Sequence, residues 1–311
     1  MKAAMLFPGQ GSQFAGMGKD LAENFPTAAE FYKKADEALG FSISRLCFEG
    51  DPIQLTETRN AQPAILLHSI IVARILLEEA GIEPAITAGH SLGEYSALVA
   101  SGVLDGIDAL KIVRKRGELM FDAGLSQPGT MAAIIGMPEE GVIAACEEAS
   151  SGDQIVVVAN INSPGQIVIS GNIEAVEKAM EIADASGAKK VVRLNVSGAF
   201  HSPLVASAQN ELVSYIKSFR LSDASTGVIC NVDAKVITSS SDIIDALSRQ
   251  LTNPVLWLDS MSLLTGEWEG PIIEAGPGKV LAGLMKRIDR ARTVEGTGTV
   301  EEVQKLLERK I

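Results

Sequence analysis

The chain has 311 residues, 46% of them hydrophobic, enough to bury a large core in one or two domains. Its formal net charge of -12 argues against nonspecific affinity for nucleic acid or an anionic membrane, because phosphate surfaces repel an excess of carboxylates. Three scattered cysteines, Cys47, Cys146 and Cys230, fit neither a disulfide framework nor a paired-thiolate metal site, and they point to a reducing, cytoplasmic setting.

Ala3 to Phe7 reads as a short buried strand that breaks at Pro8-Gly9 into a glycine-rich loop, and its apolar run is too short for a secretory signal. Apolar residues at three- and four-residue spacing predict helices over Phe25 to Leu39 and Gln62 to Ala80. The longest apolar stretch, Ala64 to Leu77, is interrupted by His68, Ser69 and Arg74; it falls short of a membrane span and reads as a buried helix. Ala85 to Ala88 is a strand ending at Gly89, with another helix beginning just after Ser91. Strand and helix thus alternate over short connections, which predicts an α/β fold with a mostly parallel sheet covered on both faces.

From Gly129 the rhythm changes to strand (Thr130 to Ile135), helix (Glu139 to Ala149), two strands (Ile155 to Asn160, Gln166 to Ser170), helix (Glu174 to Ala185) and strand (Lys190 to Val196). Strand-helix-strand, twice, is the order of a ferredoxin-like split unit. An inserted small domain at 127–196 is therefore expected, inside a large domain made of 1–126 and 197–311. Strands at Val228 to Asn231 and Pro271 to Glu274 follow, and an amphipathic helix spans Val300 to Arg309.

Gly89-His90-Ser91-Leu92-Gly93 matches G-x-S-x-G between a predicted strand and a predicted helix, the context that gives the motif meaning. A sharp strand-to-helix turn crowds the positions flanking its central residue, so glycine stands there and Ser91 is held exposed at the helix amino terminus. The amide of Leu92 would face an oxyanion formed when Ser91 attacks a thioester carbonyl. A glycine-bounded N-cap serine without chemistry is the plainer alternative.

A serine hydroxyl needs a partner to take its proton, and His68, His90 and His201 are the imidazoles present. His68 lies within an apolar helical pattern and reads as a core histidine. His90 adjoins the nucleophile on a tight turn, where neighbouring side chains diverge, so a supporting role is expected. His201 follows Ser197-Gly198-Ala199-Phe200, a small-residue loop between strand and helix, and is the candidate base. No Asp or Glu is marked by a motif as a third member, which leaves a backbone carbonyl as the alternative orienting group.

Several motifs together resemble the malonyl-CoA:acyl carrier protein transacylases of fatty acid and polyketide synthesis, over essentially the whole chain. Phe7-Pro8-Gly9-Gln10-Gly11-Ser12-Gln13 is similar to the family's first loop, Gly89 to Glu94 to its nucleophile elbow, and Gly198-Ala199-Phe200-His201-Ser202 to its histidine loop. Arg114-Lys115-Arg116-Gly117, Gln250-Leu251-Thr252-Asn253-Pro254-Val255 and Glu274-Ala275-Gly276-Pro277-Gly278 match further motifs in order. The resemblance implies a hydrolase-like α/β core with an inserted ferredoxin-like subdomain. By it, Ser91 carries the acyl group, His201 is base and then acid, and amides of Gln10 and Leu92 form the oxyanion hole. Gln250 orients the imidazole through its carbonyl, and Arg116 holds the free carboxylate of a malonyl group, rejecting neutral acyl groups by about 2–5 kcal/mol. Without the resemblance, Arg114 to Arg116 reads as a solvated basic turn.

The resemblance also implies malonyl-CoA as donor, an acyl carrier protein bearing phosphopantetheine as acceptor, and no metal or other cofactor; a monomer is expected, although the sequence does not fix the oligomeric state. Lys189, Lys190 and Arg193, with Lys286, Arg287, Arg290 and Arg292, are candidate contacts for the acidic carrier. Phe14 stands where a dinucleotide loop starting at Gly9 and Gly11 needs its third glycine, and Gly278-Lys279 lacks the remainder of a phosphate loop. A thioesterase shares the serine and histidine and is the rival enzymatic reading, and a carrier-binding module with a dead site is the non-enzymatic one.

Overall fold

The computed structural model describes residues 1–308, so Arg309, the expected end of the last helix, lies outside the described residues. Among the described residues ten strands are present: β1 (Lys2–Phe7), β2 (Glu83–Gly89), β3 (Gly129–Ile135), β4 (Val156–Ser163), β5 (Gln166–Asn172), β6 (Lys190–Arg193), β7 (Gly227–Ile229), β8 (Val236–Ile237), β9 (Ile272–Glu274) and β10 (Val294–Gly296). Six form one sheet in the order β10-β9-β1-β2-β7-β8, parallel except where β8 runs back against β7. The other four form an antiparallel sheet in the order β4-β5-β3-β6, which numbered along this segment is 2-3-1-4, the ferredoxin-like arrangement.

β1 is central to the larger sheet, and its residues Ala3 to Phe7 are all buried, as an unbroken apolar run requires when helices cover both faces. One face packs the helix Thr58–Ala80 and its neighbours; the other packs Trp257, Met261, Leu281 and Met285. Thr58–Ala80 begins four residues earlier than the sequence suggests and has 23 residues, so by length and composition it could cross a bilayer. It is a core helix nonetheless: 83% of its most apolar 18-residue window is buried inside the fold. Pro63 sits within it and cannot donate to the carbonyl of Arg59, and Arg114 Nη1 donates to that carbonyl instead at 2.8 Å.

The antiparallel sheet has its own core, in which Ala132, Ile134, Ile167 and Ile169 meet the helices Glu139–Ala149 and Ile173–Ala185. Its opposite face, with Met131 and Val168, turns to the large sheet and leaves a cleft between the two. β6 ends at Arg193, three residues short of the expected Val196; Leu194 makes a last bond to the Met131 carbonyl at 2.9 Å, and Leu194, Asn195 and Val196 line that cleft.

Candidate active site

The corner at Ser91 is built by close approach. β2 ends at Gly89 and the next helix spans Gly93–Ala100. A Cβ on Gly89 would run into the Gly93 backbone, and one on Gly93 into the carbonyl of Phe7, so the turn folds down onto β1 only with glycine at both places. Ser91 itself has φ 51°, a left-handed conformation costly for a residue with a side chain. Its backbone is tied on both sides. Asn231, just beyond β7, accepts the Ser91 amide hydrogen at 2.7 Å and donates to the Gly89 carbonyl at 2.7 Å, while Gln250 Nε2 donates to the Ser91 carbonyl at 2.9 Å. Two side-chain amides thus hold the strained turn, and Ser91 is half-buried on the floor of the cleft rather than standing out from it.

His201 is 3% exposed and also left-handed, with φ 57°. Its Nδ1 lies 3.0 Å from the Gln250 carbonyl oxygen and 3.2 Å from that of Asn253. Carbonyls only accept, so Nδ1 carries the hydrogen and Nε2 is left as the acceptor. Nε2 lies 2.8 Å from Ser91 Oγ, so the hydroxyl donates to the imidazole. Burial, reinforced by the charge of Arg116, holds the His201 pKa down to about 3, which keeps the ring neutral.

The basic triplet divides by helix phase on Gly106–Ser126. Arg114 pairs with Glu118 and Lys115 with Glu211 near the surface, but Arg116 turns inward and is 1% exposed. The solvated-turn reading therefore fails for Arg116. One Nη donates to Gln62 Oε1 at 2.6 Å; the other donates to Ser91 Oγ at 3.0 Å and Gln250 Oε1 at 3.1 Å. Nε has no partner, and among the described residues no carboxylate forms an ion pair with this guanidinium. A buried cation with only neutral partners is poised for an anion.

The cleft encloses about 380 Å³ and is lined by Gln10, Leu92, Met131, Val168 and Phe200 besides Ser91, His201, Arg116 and Gln62. Gln10 anchors its side chain on Thr58 at 3.0 Å, and among the described residues neither its amide nor that of Leu92 donates to a protein acceptor. Five of the six candidate site residues thus line one cleft, and the sixth, Gln250, lies buried behind it in contact with Ser91, His201 and Arg116. His90 turns its Nε2 to Asn162 Oδ1 at 2.8 Å, in the cleft wall, and His68 is fully buried with Nε2 3.0 Å from the Gly298 carbonyl. Among the described residues no group of three or more His, Cys, Asp or Glu could hold a metal ion. Sequence reasoning missed Gln62 and Asn231. Their one signal is a buried amide side chain at the edge of an otherwise apolar helix or strand.

Comparison with known proteins gives one consistent answer. The acyl transferase domain family matches residues 4–277. A malonyl CoA-acyl carrier protein transacylase from Bacillus subtilis is 48% identical over 93% of this chain and 91% of its own. Among solved structures, an acyl carrier protein S-malonyltransferase from Vibrio cholerae superposes with a TM-score of 0.94 at 40% identity, covering 98% of this chain and 100% of that one. A malonyl-transacylase captured with a type II PKS acyl-carrier protein superposes at 0.95, again at 40% identity, covering 99% and 100%.

Proposed function

This chain belongs to the acyl transferase family of malonyl CoA-acyl carrier protein transacylases, and from that premise we propose that Ser91 carries a malonyl group from coenzyme A to a carrier protein's phosphopantetheine thiol. One observation carries the assignment of residues: Ser91 Oγ lies between a neutral imidazole at 2.8 Å and a buried guanidinium at 3.0 Å.

The steps follow from those contacts. Ser91 Oγ attacks the thioester carbonyl as its proton passes to His201 Nε2, and the Gln10 and Leu92 amides stabilise the oxyanion. The C–S bond breaks, the thiolate of coenzyme A takes the proton back from His201, and a malonyl ester remains on Ser91. The carrier thiol then gives its proton to His201 and attacks the ester, and Ser91 Oγ leaves with that proton. The carbonyls of Gln250 and Asn253 keep the proton on Nδ1 throughout and so fix the working tautomer.

Arg116 selects the acyl group by reach. A malonyl carboxylate is separated from the ester carbonyl by a single methylene, so a guanidinium already touching the nucleophile meets it, and a bidentate pair replaces contacts to neutral oxygens. Acetyl groups leave the buried cation without an anion. Carrier docking on Lys189, Lys190, Arg193, Lys286, Arg287, Arg290 and Arg292, action as a monomer, and a reducing cytoplasmic setting belong to the same proposal. Buried free thiols at Cys47, Cys146 and Cys230 support the last of these.

Intact mass spectrometry after mixing with malonyl-CoA tests the chemistry. One malonyl adduct per chain is expected, absent from Ser91→Ala and discharged by holo carrier protein to malonyl carrier. Release of free malonate with no loaded carrier would instead make the protein a thioesterase.

A further inference from the structure

Glu94 is a buried carboxylate that the transfer chemistry above does not use. It is 2% exposed, in the first turn of the helix Gly93–Ala100 that follows Ser91, and among the described residues it forms no ion pair. Its Oε2 accepts from Gln250 Nε2 at 2.7 Å and from the Asn231 amide at 3.4 Å. Both of these residues grip the nucleophile turn, Asn231 at the Ser91 amide and Gln250 at the Ser91 carbonyl.

Gln250 is the hub of the site. Its main-chain carbonyl faces His201 Nδ1, its Oε1 accepts from Arg116, and its Nε2 serves Ser91 and Glu94. A carboxylate cannot donate, so Glu94 forces the amide to present nitrogen to itself and oxygen to Arg116. The same amide carries counter-charge from the carboxylate to a guanidinium that has no anion in contact.

We propose that ionised Glu94 is a positioning residue of the malonyl transfer, holding Gln250 so that Arg116, His201 and Ser91 stay in register while the site awaits its acyl group. The inference rests on the roles given to Ser91 and Arg116 above. It has a signature in pH. Burial raises the Glu94 pKa to about 7, against the pull of Gln250, Asn231 and Arg116. The other titratable groups around it are Tyr95 on its own helix and Cys230 and Asp233 beyond β7, and Asp233 is occupied by Arg249. A raised carboxyl pKa means the ionised form, and the positioning it provides, is present above about 7 and lost as pH falls through that value. Burial and the charge of Arg116 push His201 down, away from this range, and a transition that Glu94→Gln loses while His201 is unchanged belongs to Glu94.

The test is the rate of malonyl adduct formation between pH 5.5 and 9 for wild type, Glu94→Gln and Ser91→Ala, with malonyl and acetyl donors, and thermal midpoints at pH 6 and 8. Wild type is expected to lose rate below about pH 7. Glu94→Gln is expected to be slower at pH 8 by roughly five- to tenfold, the difference between hydrogen bonds to charged and neutral acceptors, and to lack that transition. A Glu94→Gln protein that folds and keeps both the wild-type rate and the wild-type transition overturns the proposal. So does a wild-type profile that is flat through pH 7, which needs no variant to fold. If wild type forms no Ser91 adduct at all, the transfer reading fails first; if the adduct forms normally and only the pH signature is missing, Glu94 alone is refuted.

Discussion

The two walls of the cleft are built on opposite principles. On the large-sheet side, strained residues at Ser91 and His201 are pinned by side-chain amides and carbonyls, with Asn231, Gln250 and Gln62 each binding more than one group or a buried charge. On the antiparallel-sheet side, Met131, Val168, Leu194 and Val196 present apolar surface beside the neutral amides of Asn160, Asn162 and Asn195, and this wall contributes no charge to the cleft. The contrast separates two demands of acyl transfer. Charge that develops on an oxyanion and a proton that must move within one hydrogen bond need preorganised groups, whereas a long acyl carrier arm needs room and few fixed partners.

Arg116→Ala breaks the contrast most sharply, because it removes the charge from the ordered wall and leaves its packing partners in place. Malonyl transfer should fall by about 30- to 5,000-fold, from the cost of leaving one member of a buried charge pair unmatched. Acetyl transfer should fall far less. Competing donors in one assay measure the ratio, and equal losses for both acyl groups would remove Arg116 from selection.

Ile134→Ala probes the other wall from behind. Ile134 is 1% exposed in the core of the antiparallel sheet, on the face away from the cleft. Its truncation should cost about 2–5 kcal/mol, read as a lower thermal midpoint. The folded fraction should still transfer malonyl within roughly twofold of wild type, as expected for energetically independent sites. A large rate loss without a loss of stability would mean that the wall does more than shape the cleft.

How much of this was legible beforehand differs between the walls in the same way. Ser91 and His201 announce themselves because a left-handed turn at a crowded corner demands small neighbours, and Gly89, Gly93, Gly198 and Ala199 are visible in any reading of the chain. Arg116 was identified only by resemblance, although its phase gave it away: it follows Ile112 and Val113 and precedes Met120 on the buried stripe of its helix, where Arg114 and Lys115 fall outside. The element order of the ferredoxin-like unit was readable from alternating patterns, but the end of β6 was not. Val196 continues the apolar pattern, and its apolar side is used by the cleft instead of the sheet. Asn231, Gln62 and Glu94 escaped because each is a single polar residue whose partners lie more than fifty positions away.

The smallest expected effect lies outside both walls, at Arg287. This residue is exposed on the helix Val280–Ile288 and donates to Gln166 at 2.7 Å, which places it at the end of the antiparallel sheet where β5 begins. With a net charge of -12 the protein has no long-range attraction for an acidic carrier, so any docking preference must come from local cations of this kind. Arg287→Glu should raise the KM for the carrier protein by roughly two- to fivefold, in line with an exposed ion pair of under about 1 kcal/mol, and the effect should shrink as salt is added. The KM for malonyl-CoA and the adduct rate should not change, because the residue does not line the cleft. A parallel rise in both KM values would show that the substitution disturbs the cleft, and no change in either would move the carrier's contact surface elsewhere.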